Sequence, residues 1–295
     1  MSKFKRKKFS LACLFLGLGL SLSLPVSAEP FRLLVSIRPL ELMLEGFKSE
    51  DLIIETLVPA KLDPHQFALR PSDMRKLNRA NAVVWIGPNF ERFLEEPLKR
   101  KTNLKLYSFA SPDVIQQGPV QIARSHDHSH SDDAHVWLNP LNVKAMQAAI
   151  FHLLRENSVG DDGELLLQLK AMHKQIDKRY NTMAGQLKPY RDKPFGVAHD
   201  GYSHFVSAFK LNQVAAITAL PEQRLSAKRL HELKQRLSGA NCLIVQPNDP
   251  HSTKLATTFS LSAVSADILA SSEEIDTIDA FFADLTRSFL NCLAP

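Results

Sequence analysis

The stretch from Asp161 to Tyr190, DDGELLLQLKAMHKQIDKRYNTMAGQLKPY, constrains the fold more than any other part of the chain. Leu165, Leu169, Met172, Ile176, Tyr180, Met183 and Leu187 follow one another at steps of three and four, which puts all seven on one face of a helix. A straight helix through them is about 34 Å long, comparable to the width of a small domain. Asp161 and Glu164 offer a capping arrangement at its start, and Pro189 ends it.

On both sides of this rod, short apolar or β-branched runs alternate with helical periodicity. Strands are expected at 31–36 (FRLLVS), 52–58 (LIIETLV), 82–86 (AVVWI) and 104–108 (LKLYS), with helices near 39–48, 72–80 and 90–100. After the rod, strands are expected at 194–198 (PFGVA), 213–217 (QVAAI), 242–246 (CLIVQ) and 262–266 (SAVSA), with helices near 202–209, 226–238, 251–259 and 273–291. Such alternation implies right-handed βαβ units and mostly parallel sheets. The expected fold class is therefore α/β, with two lobes, each a mostly parallel sheet flanked by helices, joined by one long connecting helix. The expected boundaries are 29–158 for the first lobe, 159–190 for the connecting helix and 191–295 for the second lobe. Residues 109–134 lose all periodicity and form a polar loop of unusual length. Helical pattern resumes after Pro140.

The start of the chain has a different character. MSKFKRKK carries five basic groups, an uncharged run from Leu11 to Leu24 follows, and Val26-Ser27-Ala28 closes it with the small residues that suit signal peptidase. The apolar run is short for a bilayer span, so residues 1–28 read as a secretory signal peptide with a mature start at Glu29. Cys13 lies inside this segment. Of 36 Lys and Arg, five belong to the signal, and the 31 that remain are balanced by 31 Asp and Glu. The mature chain is formally neutral, which argues against a nucleic-acid footprint, because that needs a lasting excess of Lys and Arg.

Two cysteines survive in the mature chain, Cys242 and Cys292, in a protein routed to an oxidising compartment. A disulfide between them would close a loop of about fifty residues and stabilise by roughly 4 kcal/mol on the chain-entropy model. Two separate buried thiols are the alternative.

In open parallel sheets, ligands bind just beyond the carboxyl ends of the strands. His65 lies in the loop after the strand ending near Val58, His199 directly follows FGVA, Gln246 ends CLIVQ, and Asp267 directly follows SAVSA. His135 closes the long polar loop, which can bring it over the same cleft. Three neutral imidazoles with a carboxylate or a water complete a tetrahedral zinc shell. The intervals from 65 to 135 and from 135 to 199 are far longer than the paired spacings of zinc modules that fold around their metal. Ligands so widely separated need a scaffold that already exists, so the site is one to be filled and emptied, or one that catalyses.

The motifs VSIRPLELML, PHQFALRPSDMRKLNRANAVVWIGPNFERFLEEPL, DAHVWLNP, VAHDGYSHF and RLHELKQRL, with Cys242 and Cys292 near the end, extend from about residue 33 to 292. On these the chain resembles the zinc-specific substrate-binding proteins of bacterial ABC importers, a family with two α/β lobes bridged by a long helix. The resemblance implies a periplasmic, monomeric protein that is not an enzyme. It implies capture of Zn²⁺ in a metal cleft between the lobes and delivery to an ABC permease in the inner membrane. His65, His135 and His199 match the three family metal histidines, and Asp267 sits where some relatives have a fourth ligand. It also implies a Cys242–Cys292 disulfide. Manganese-binding relatives have glutamate at the position of His199, and imidazole there suits zinc better than the harder Mn²⁺. His126, His128 and His130 resemble a shortened form of the family's histidine-rich loop, an accessory collector of metal; a plain solvated loop is the alternative.

Three departures stand out: Gln246-Pro247 where zinc relatives commonly have Glu-Pro, Pro64 where some place a glutamate before the histidine, and His204 in place of a usual aromatic. Two competing readings use other chemistry. HSHSDD at 128–133 approaches the H-x-H-x-D-H pattern of a zinc hydrolase, but Asp133 stands where its last histidine belongs, and H-E-x-x-H, G-x-S-x-G and P-loop motifs are missing. A metal-binding surface adhesin on the same fold is the other. His152, His173, His231 and His251 read as surface residues, and Met172 and Met183 as packing.

Overall fold

A computed structural model describes residues 29–101, 104–109, 133–218, 225–247 and 250–294. The first four strands, β1 (Phe31–Val35), β2 (Leu52–Thr56), β3 (Ala82–Trp85) and β4 (Lys105–Ser108), form one sheet in the order β2-β1-β3-β4. The next four, β5 (Pro194–His199), β6 (Asn212–Thr218), β7 (Cys242–Val245) and β8 (Ser262–Ser265), form a second in the order β6-β5-β7-β8. Every pairing is parallel, and the two sheets share one winding pattern. Parallel strands are covered on both faces, and the sequence registers which are innermost. AVVW of β3 and CLIV of β7 are buried at every position, whereas the edge strands β2 (LIIET) and β8 (SAVS) have no fully buried residue.

The expected long helix is present over Asp162–Leu187, continued by a 3₁₀ turn at Lys188–Tyr190. The Asp161 carboxylate caps it by accepting from the Glu164 N–H at 2.9 Å. Six of the seven stripe residues are buried, and Tyr180 is half-buried against the same core. The helix packs on one side against Pro140–Glu156 and on the other against the C-terminal helix Ile278–Leu293. Its buried face thereby joins a single apolar cluster that runs from Leu33 and Val84 in the first sheet, through Trp137, Ile176 and Met183, to Phe195, Ile244 and Phe289 in the second lobe. Two smaller clusters cover the outer faces of the sheets.

Two helix boundaries differ from expectation for identifiable reasons. The first helix is Arg38–Leu44 and stops short of 48. Gly46 follows the helix end closely, and a Cβ there would lie 2.3 Å from the Met172 sulfur, so a residue with little helix propensity stands where the chain meets the long helix. The last helix begins at Ile278 rather than 273. Thr277 caps it by accepting from the Ala280 N–H at 3.0 Å, and the residues before it are held in a loop by Asp267.

Cys242, the first residue of β7, is bonded to Cys292 in the last turn of the C-terminal helix, with 5.5 Å between their Cα atoms. Replacing both with serine should lower unfolding stability by about 4 kcal/mol. Denaturant titration of the oxidised protein and the double variant measures this.

Candidate metal centre

His65, His135 and His199 come together between the two sheets. Each offers a ligand atom, and the three atoms lie within 4.8 Å of one another. Ring centroids are 6.0 Å apart for His65 and His135, 5.8 Å for His65 and His199, and 5.2 Å for His135 and His199. A tetrahedral zinc shell with bonds near 2.0–2.1 Å puts its nitrogens about 3.3 Å apart, so modest side-chain rotation closes the group on an ion. Among the described residues no other set of three His, Cys, Asp or Glu gathers in this way.

Each ring is presented by a different local device. His65 sits in a 3₁₀ turn, Pro64–Gln66, whose preceding Asp63 carboxylate accepts from the His65 N–H at 2.9 Å; Pro64 fixes the first position of that turn. His199 ends β5, an inner strand of its sheet, and is 3 % exposed. His135 is 4 % exposed and leads into a second 3₁₀ turn, Val136–Leu138. Trp137 anchors that turn, fully buried, with its indole N–H donating to the Ile268 carbonyl at 2.9 Å.

Phe90 forms the wall that His65 and His135 share, with centroids 4.7 and 5.2 Å away, and Trp137 backs Phe90 at 5.1 Å. Gly201 lies against His135 and His199. A Cβ there would lie 2.8 Å from both His135 Cε1 and His199 Cδ2, and 2.9 Å from His199 Nε2. The two rings can approach only because this residue has no side chain.

The Asp133 carboxylate lies behind His135. Its Oδ1 accepts from His135 Nδ1 at 2.7 Å and from the His135 backbone N–H at 3.0 Å. Its Oδ2 accepts from the Ser203 N–H at 3.0 Å and from the Ser203 hydroxyl. Burial by itself would raise this carboxyl, but the His135 charge and hydrogen bond, with His204 and Ser203 beside it, hold it well below the ordinary carboxylate range. His204 is placed by the same residue, its Nε2 donating to the Asp133 carbonyl at 2.9 Å.

Asp267 does not join the three rings. Its Oδ1 accepts from the Leu269 N–H at 3.0 Å, and its Oδ2 accepts from the Ser271 N–H at 2.6 Å, the Ser271 hydroxyl at 2.9 Å and the Ser272 N–H at 3.3 Å. It organises the loop that carries the Trp137 anchor. His126, His128 and His130 lie outside the described residues, as does the side chain of His251. His152 and His231 are exposed, His173 is half-buried and meets the Lys144 carbonyl at 3.0 Å, and Met172 and Met183 are in the core.

Glu91 follows the shared wall residue Phe90 and is fully buried. Burial pushes its carboxyl up to about 7, against the opposing effect of hydrogen bonds from Ser36, Gly87 and Ile86. The folded protein therefore holds this proton more tightly than the unfolded chain does. The stability it confers is complete below the unfolded value near 4.5 and is lost as pH rises through about 7.

The paired parallel sheets, the long helix and the gathered imidazoles are together those of a two-lobed metal-binding protein. The family model described as zinc-uptake complex component A periplasmic matches residues 33–289. The chain belongs to that family. The high-affinity zinc uptake system protein ZnuA of Yersinia pestis is 29 % identical over 248 residues, 75 % of this chain and 78 % of the relative. A solved zinc-bound deletion mutant of ZnuA superposes with a TM-score of 0.74 at 22 % identity, covering 90 % of this chain and 99 % of the other. The periplasmic zinc binding protein TroA from Treponema pallidum gives a TM-score of 0.71 at 16 % identity, covering 91 % and 100 %. With both structures the common feature is the fold.

Gly201→Ala should weaken zinc binding by about 10-fold or more, since it forces His135 and His199 apart, while the circular dichroism spectrum stays native; competition with a chelating dye reads the affinity. Glu91→Gln should remove the pH dependence described above. The stability of wild type relative to the variant should fall by roughly 2 to 3 kcal/mol between pH 5 and pH 8, on top of a pH-independent cost of setting an amide against a backbone N–H of Ile86 or Gly87, as read by denaturation at the two pH values.

Proposed function

We propose that this protein captures Zn²⁺ in the periplasm and delivers it to the permease of an ABC importer in the inner membrane. The observation that carries the reading is the convergence of His65, His135 and His199 from three distant parts of the chain on one point between the sheets. In this reading the three imidazoles are the protein ligands, and water takes the fourth position, since the Asp267 oxygens are occupied by their own loop. The neutral nitrogen donors favour zinc over harder cations of similar charge.

The chain reaches the periplasm through the signal in residues 1–28 and acts from Glu29 onward as a monomer. Its first lobe spans 29–158, the connecting helix 159–190 and the second lobe 191–295. It is a carrier rather than an enzyme: the cluster is walled by Phe90, and the carboxylate behind it, Asp133, is committed to His135 and Ser203. When the loaded lobes dock on the permease, the site is distorted and the ion passes on.

A zinc isotherm of the mature protein should show one tight site. Replacing His65, His135 or His199 by alanine should weaken it by at least about 100-fold, with no hydrolytic turnover in wild type or variants. Because a protonated imidazole cannot bind metal, affinity should fall as pH drops through about 6.5, approaching roughly three decades per pH unit when all three rings must lose a proton. Affinity that stays flat from pH 8 to 5 contradicts histidine ligation.

A further inference from the structure

The geometry points to Asp133 as a positioning residue that fixes which nitrogen of His135 meets the metal and ties that ring to the segment presenting His199. This rests on the zinc-carrier reading above and extends it to a residue outside the ligand set.

Asp133 has two carboxylate oxygens with separate tasks. Oδ1 faces His135, accepting from its ring Nδ1 at 2.7 Å and its backbone N–H at 3.0 Å. A carboxylate can only accept, so Nδ1 carries the proton and Nε2 is left as the ring's donor to a metal. Oδ2 faces the other lobe, accepting from the Ser203 N–H at 3.0 Å and from its hydroxyl. Ser203 stands four residues beyond His199, and the chain between them is tightly held, with Asp200 N–H bonded to the Thr218 carbonyl at 2.9 Å and Gly201 N–H to the His199 carbonyl at 3.0 Å. The helix Ser203–Phe209 also packs against the turn that follows His135. His204 adds a third tie at 2.9 Å to the Asp133 carbonyl. One buried carboxylate thus sets both the tautomer of one ligand and its distance from the segment of another.

A simpler role is available to the same residue, a local turn in which the side chain accepts the N–H two residues on. That role needs only Oδ1, and asparagine fills it equally well. The two roles diverge at Oδ2. An asparagine amide there presents N–H groups to the N–H of Ser203, or, if flipped, to His135 Nδ1, and neither arrangement keeps both bonds.

The test uses the full mature chain, with Zn²⁺ as the probe. Asp133→Asn should weaken zinc binding by about 10- to 100-fold and speed zinc dissociation, whereas a turn residue would leave both within twofold. Ser203→Ala, which keeps the backbone N–H and removes the hydroxyl, should give a smaller loss of about threefold, and the double variant should be no weaker than Asp133→Asn alone, because both act through one carboxylate. Nitrogen chemical shifts of the His135 ring, measured in wild type, give a readout that needs no variant to fold. They should report Nδ1–H without zinc and Nε2 ligation with it. Wild-type affinity in Asp133→Asn, or His135 bound through Nδ1, overturns the proposal. Failure of the wild type to bind one zinc ion sinks the carrier reading instead, while the zinc-free His135 tautomer still decides the role of Asp133.

Discussion

The burial of one face of the Asp162–Leu187 helix is the interaction on which the rest of the structure depends. Leu165, Leu169, Met172, Ile176, Met183 and Leu187 face a cluster to which both lobes contribute, so the halves share one interior. At roughly 25 cal/mol for each Å² of apolar surface removed from water, such shared packing holds the lobes far more firmly than a polar contact surface would. Firm placement matters because the imidazoles come from segments with no covalent proximity. Their separation is set by the scaffold before any ion arrives.

Around the rings the structure combines an aromatic wall with a carboxylate committed to one of them. Phe90 and Trp137 limit the motion of His65 and His135, and Gly201 leaves room for His135 and His199 to stand side by side. Asp133 places a negative charge directly behind the His135 ring. A dication held by three uncharged nitrogens keeps its full charge, and a nearby anion offsets part of it without occupying a coordination position.

Much of this was legible in the sequence. All eight strands lie where apolar runs and turn residues indicate, because central strands of parallel sheets leave nearly continuous hydrophobic text. The rule that ligands gather beyond strand ends picked out His65 and His199 together with Gln246 and Asp267, the long polar loop placed His135 over the same cleft, and the family motifs then matched the three histidines as a set. Side-chain direction was not legible. Asp267 stands at a strand end like His199, yet its carboxylate curls back onto the N–H groups of residues 269, 271 and 272. The partnership of Asp133 with Ser203 joins positions seventy residues apart, and the clearance at Gly201 is a property of two rings packed against it; neither leaves a local pattern. The need for glycine at position 46 likewise comes from Met172, more than a hundred residues away.

The common interior has a bearing on how cargo leaves. Prising the halves apart by enough to wet 400 Å² of that interior would cost on the order of 10 kcal/mol, so the opened form would hold only about one part in 10⁷ of the molecules, although a barrier of that height is crossed many times a second. Left to itself in solution, the molecule spends almost all of its time closed. A surface that bound the opened form better than the closed one would raise that fraction at the place where the two meet and nowhere else.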